Sequence, residues 1–185
     1  MIRPWLPLVT FFFFIFDGTV MQVFSAHWFG ADIHLIPRFA MILVLFTAVF
    51  YKRSTSLAYG LIFGFMQDII YTDIIGVYSF TMAFTAYLIA SFAALFRKNV
   101  FSAFALVLFG VVLLEFQVYG LYSIIGVSNA SLHQFLYERL FPSLVLNGGF
   151  FICAYYPVRK GFDGIADFSL RDSEKIRSSE SMKSK

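Results

Sequence analysis

The sequence predicts an all-α membrane protein: a six-transmembrane-helix bundle with both termini on the cytoplasmic side. Three observations carry this reading. The 185 residues are 59% hydrophobic and 14% charged, with a mean hydropathy of +0.77, more apolar surface than a soluble domain of this length can hide. The bulky apolar residues, 26 of them phenylalanine, occupy every helical face, as they do where the solvent is lipid. The basic residues, finally, fall at the ends of apolar runs and, if the runs alternate in direction, nearly all on one side.

Taken in order, the first span covers residues 5–24 and the second 39–51. The second is short, since a bilayer core asks for about 20 apolar residues. It either borrows Leu35, Ile36 and Pro37 at its outer end or is partly shielded by protein. The third span covers 56–71, the fourth 77–96, the fifth 100–125 and the sixth 140–156. If the six alternate, Arg3, Lys52, Arg53, Arg97, Lys98, Arg159 and Lys160 share one side, and only Arg38 and Arg139 fall on the other. An excess of basic residues marks the cytoplasmic face, which places both termini there. Trp5, Trp28, Tyr71, Tyr137 and Tyr156 lie near span ends, as interfacial aromatics do. A cleaved signal peptide fits the N-terminus less well, because Asp17 interrupts its apolar region and no soluble domain follows. Residues 1–160 thus form the transmembrane domain. Residues 161–185, serine-rich and mixing five acidic with five basic side chains, read as a mostly disordered cytoplasmic tail.

The same composition narrows function. Basic residues form no patch interleaved with aromatics, so no nucleic-acid partner is expected. The single cysteine, Cys153, can form no intrachain disulfide. The chain carries no HExxH, GxSxG or P-loop pattern and no zinc-ligand spacing, so neither an enzyme, a metal site nor a cofactor is expected. His27, His34 and His133 fall in expected outer loops and read as solvated residues. No internal repeat suggests a transporter of two matching halves.

Three acids interrupt the apolar spans: Asp17, Asp68 and Glu115. Counted from residues 5, 56 and 100, they lie 12, 12 and 15 positions along outward-running helices, or about 18 to 22 Å above the cytoplasmic boundary. All three therefore share a level in the outer half of the bilayer, where no lysine or arginine is expected. An isolated charge there costs a few kcal/mol or more. Protonation, hydrogen bonding to neighbours such as Gln22, Gln67, Gln117 or Tyr119, or contact with a wet cavity would relieve it. The acids could line a candidate pocket with Arg38 at its outer rim, but a structural role is favoured for Asp17 and Glu115. Asp68 has the more specific setting. Gly60, Gly64 and Asp68 are spaced by four and share one helical face, where small residues admit another backbone. Gly76 then opens the next span.

Those residues carry a family likeness. GLIFGFMQDIIYTDIIGVYSFTMAFTAYLI resembles the most recognisable segment of the MreD family of bacterial rod-shape-determining membrane proteins, through Gly60, Gly64, Asp68 and Gly76. HLIPRFAMILVLFTAVFYKR, with Pro37 opening a helix, resembles that family's second span. The likeness covers roughly residues 35–90 by motif, with Phe65 and Met66 where a small residue or leucine is more usual. It implies a non-enzymatic scaffold of the cell-wall elongation machinery in the bacterial cytoplasmic (inner) membrane. It implies further a partner like MreC, with one membrane helix, and indirect links to MreB-like filaments and peptidoglycan synthases, with membrane lipid around the bundle. A fold similar to the substrate-binding subunit of energy-coupling-factor transporters is also implied. The Gly60–Gly64–Asp68 face would then support the fold or dock the partner helix. The competing reading is a small-molecule-binding membrane subunit of a vitamin-type uptake transporter, using the acids together with Arg38, Asp32 and His34.

Overall fold

The computed structural model describes residues 5–24, 35–96, 99–127 and 131–183, and among them every regular element is helical. The elements are α1 (Trp5–Phe24), α2 (Phe39–Phe50), α3 (Arg53–Tyr71), α4 (Val77–Ala93), α5 (Val100–Ile124), α6 (Leu132–Gln134), a π-helical turn (Phe135–Leu140) and α7 (Phe141–Lys183). Val100–Ile124 and Leu132–Phe162 are each long and apolar enough to cross a membrane, and Leu6–Met21, Phe39–Phe50 and Val77–Ala93 are shorter apolar helices.

The bundle is arranged around α2. Its sequence, FAMILVLFTAVF, offers no polar face, and a helix apolar all round must be covered by lipid or by protein. Neighbours α1, α3, α4, α5 and α7 supply that cover, and every residue from Phe39 to Val49 is buried. Phe46 stacks on Phe151 of α7 at 5.0 Å between ring centres, and Phe39 stacks on Phe150 at 4.2 Å. Of the two ways to accommodate a short second span, shielding by protein is the one the fold uses. Residues 35–38 do not extend the helix, and Ile36, Pro37 and Arg38 are buried as irregular backbone. Pro37 disfavours helical backbone at the residue before it, so α2 starts abruptly. Its 12 residues span about 18 Å, well short of the roughly 30 Å hydrocarbon core.

The α3–α4 pair is the closest in the bundle because glycine permits it. A Cβ on Gly60 would lie 2.8 Å from the Ala83 Cα, and one on Gly64 would lie 2.5 Å from the Tyr78 carbonyl oxygen. Backbone thus packs on backbone along the small-residue face, which α4 of the same chain occupies. Gly76 follows at φ 110°, a left-handed conformation natural to glycine, and turns the chain into α4.

Several ends differ from the sequence expectation. Helix α3 begins at Arg53 and α4 stops at Ala93. The last helical stretch differs most. It starts at Leu132 instead of 140, because Ser131 and Gln134 form a reciprocal capping box. It passes through the π-turn and continues through Pro157 to Lys183, across the segment expected as a disordered tail. His133 accordingly lies on α6, exposed and stacked on Tyr137, and not in a loop. Arg3, His27, Trp28, Asp32, His34, Arg97 and Lys98 lie outside the described residues.

Candidate functional site

The buried charged residues of the bundle, with Ser143 and Asn147, gather where α2 and α4 begin. Any helix start leaves its first N–H groups without intrahelical acceptors. Inside a bundle, water cannot satisfy them, and the unmet groups are costly. Neither start has a side-chain cap from its own N-cap residue, Arg38 or Gly76. The acceptors come from other helices.

Asp17 on α1 provides them for α2. Its Oδ1 accepts from the Phe39 N–H at 3.0 Å, and its Oδ2 from the Ala40 N–H at 2.9 Å. A carboxylate on the positive end of a helix dipole is favoured as well as hydrogen-bonded. Asp68 on α3 does the same for α4, and more completely. Its Oδ1 accepts from the Tyr78 N–H at 2.8 Å. Its Oδ2 accepts from the N–H groups of Gly76 and Ser79 at 3.0 and 2.9 Å, and from the Ser79 hydroxyl at 2.7 Å. The side chain is wholly buried.

The stretch before α2 is held from α7. The Asn147 Oδ1 accepts from the Arg38 N–H at 2.9 Å, while its Nδ2 donates to the Ile36 carbonyl at 3.1 Å. The Ser143 hydroxyl oxygen accepts from the Ile36 N–H at 3.0 Å. One amide and one hydroxyl, a helical turn apart on α7, thus stand in for the backbone bonds that an irregular segment lacks.

Glu115 on α5 holds the third piece. Arg38, expected as an exposed rim residue and only 5% accessible, donates from Nε to Glu115 Oε1 at 2.7 Å and from Nη2 to the Tyr78 hydroxyl at 3.0 Å. Arg139 donates from Nε to Glu115 Oε2 at 3.1 Å, and its Nη2 lies 3.0 Å from the same oxygen. The expectation that no basic residue reaches the level of the acids is therefore overturned. Both arginines turn toward Glu115, because a lone carboxylate and two lone cations cost less together than apart. Gln117 was among the neighbours expected to relieve the acids. Gln117 instead donates to the Thr85 hydroxyl at 2.8 Å.

The four residues Asp17, Asp68, Glu115 and Arg38 all lie in this layer, each already engaged by backbone or counter-charge. Gly60 and Gly64 lie lower in the α3–α4 seam, and Gly76 donates to Asp68. Sequence reasoning missed Arg139, Tyr78, Ser143 and Asn147 as members, and also Gly18, where a Cβ would collide with the Tyr71 ring. Ser143 and Asn147 did leave a signal, two polar residues spaced by four in an apolar span. Among the described residues, no group of three or more His, Cys, Asp or Glu is placed to hold a metal ion. The layer can fix helix ends at a set depth and orient the bundle.

Comparison with known proteins gives a consistent result. The family model for rod shape-determining protein MreD matches residues 2–162. A rod shape-determining protein MreD from Bacillus subtilis (strain 168) is 33% identical over 144 residues, covering 72% of this chain and 84% of that protein. No solved structure matches.

Proposed function

The chain belongs to the MreD family of rod shape-determining membrane proteins, and from that premise we propose that it is a non-enzymatic scaffold of the cell-wall elongation machinery. It spans the bacterial cytoplasmic membrane six times with both termini inside. Residues 1–160 are the membrane domain, and 161–185 extend into the cytoplasm. Its direct partner is an MreC-like protein with a single membrane helix, through which it communicates with MreB-like filaments and peptidoglycan synthases.

One observation carries this reading: each intramembrane carboxylate described is spent on holding the bundle together. Asp17 and Asp68 close helix ends, and Glu115 joins two arginines. What the domain offers its surroundings is apolar helix surface. The glycine seam is taken by α4, so a partner helix meets other faces. Exposed apolar side chains such as Phe12 on α1, Phe80 on α4 and Val145 on α7 mark those faces.

The test is site-specific photocrosslinking from Phe12, Phe80 and Val145 in growing cells. Capture of the single-span partner from one face, and not from the other two, is the expected result. If none of the three captures it while all three variants still sustain rod shape, the scaffold reading fails. The competing vitamin-transporter reading needs a free polar pocket, and the engagement of Arg38 by Glu115 and Tyr78 counts against it. A small molecule bound stoichiometrically to the purified protein in native mass spectrometry would restore it.

A further inference from the structure

We propose that Arg139 binds the phosphate of an anionic phospholipid, at the membrane face where α6 begins. The proposal rests on the membrane-spanning reading of the last helix and not on the identity of the protein partner.

Depth is the first argument. Arg139 precedes Arg159 by 20 residues on a continuous helical stretch, which is about 30 Å, the thickness of the hydrocarbon core. With Arg159 and Lys160 at one headgroup level, Arg139 stands at the other. Its exposed neighbours agree, since Tyr137 and Phe141 flank it as interfacial aromatics flank a span end.

Charge is the second argument. Glu115 is a single negative charge facing two cations, and Arg38 makes the shorter contact from a buried position. The nearby carboxylates of Asp17 and Asp68 are occupied by helix starts. Glu138, adjacent in sequence and partly buried, takes no part in the described ion pairs. Arg139 is therefore the member of the triad whose charge is least compensated.

Access is the third. The Arg139 side chain is 31% exposed whereas that of Glu115 is fully buried. Both contacts to Glu115 use Nε and Nη2, leaving Nη1 outside them. A planar guanidinium with a free edge matches a phosphate oxygen in shape and charge. Nothing basic is needed on this face for topology, since the orienting excess lies at the opposite side.

Lipid-specific quenching tests this on the full-length protein reconstituted in bilayers. Trp5→Phe and Trp28→Phe remove the native tryptophans, and Tyr137→Trp places an exposed reporter two residues from Arg139, at nearly the same depth on the helix. The expected result is that brominated phosphatidylglycerol outcompetes brominated phosphatidylcholine around the reporter by about fivefold, the ratio set by one cation near a membrane surface. Arg139→Gln brings the ratio to about one, Arg139→Lys keeps most of it, and added salt lowers it in the parent protein. A parent ratio near one overturns the proposal, as does a ratio that survives Arg139→Gln or ignores salt. Displacement by inorganic phosphate at constant ionic strength would make this a free-anion site and overturn the lipid assignment. A second reporter, Tyr156→Trp, senses the opposite boundary. A parallel fall there in Arg139→Gln would ascribe the loss to the whole bundle and overturn the site.

Discussion

Asp68 and Asp17 do from across the bundle what a capping residue usually does from the position just before a helix. The two differ in how many donors they satisfy, four for Asp68 and two for Asp17. A buried donor left without an acceptor costs about 1–3 kcal/mol. Asp68→Ala is therefore expected to lower unfolding free energy by about 3–5 kcal/mol, and Asp17→Ala by roughly half as much. Detergent-titrated unfolding in mixed micelles measures both, and an Asp17 variant as damaged as the Asp68 one would contradict the count. The sequence made Asp68 conspicuous through Gly60 and Gly64, but not its task. A spacing of four reports residues that share a face. It does not report that the side chain reaches over to the start of the following helix.

At the scale of elements, Glu115 is the joint where α2, α5 and the turn leading into α7 meet. Removing one member of a buried ion pair leaves the other charge stranded, at about 3–5 kcal/mol. Glu115→Gln strands the enclosed Arg38 and is expected to fall in that range. Arg139→Gln leaves the closer Arg38–Glu115 pair intact and acts on a part-exposed cation, so it should cost about 1 kcal/mol or less. The same unfolding assay ranks them, and equal losses would show that Arg139 carries the triad's stability. The elements themselves were well marked in the sequence: apolar runs and charged breaks locate α1 to α5 to within a few residues. The last helix was not, because the S-x-x-Q start at Ser131 lies beyond the apolar run. The stretch FLYERL, broken by Glu138 and Arg139, reads as a loop until the π-turn brings Arg139 against Glu115. The triad itself was illegible for a simpler reason. Arg38 and Glu115 are 77 positions apart, and no local pattern encodes such a pairing.

At the scale of the whole molecule, the proposed topology makes a labelling prediction. In a Cys153→Ser background, a cysteine at position 127 should react with a membrane-impermeant maleimide from outside the cell. One at position 54 should react only after the membrane is opened. The reverse pattern would invert the chain, and labelling of both from outside would end the six-span reading. The charge asymmetry that predicts this was plain in the sequence, since only Arg38 and Arg139 run against it, and both turn inward. The short central helix has a consequence of a different kind, in the order in which the chain is made. Asp17 leaves the ribosome before α2 does, but the carboxylate for Arg38 follows 77 residues later and the Asn147 clamp on its backbone 109 residues later. Until then α2 is a half-length helix opening on an unneutralised arginine. An unpaired arginine and unmet backbone groups make that state costly in lipid. The helix at the middle of the finished bundle therefore completes its polar contacts only once α5 and α7 have been made.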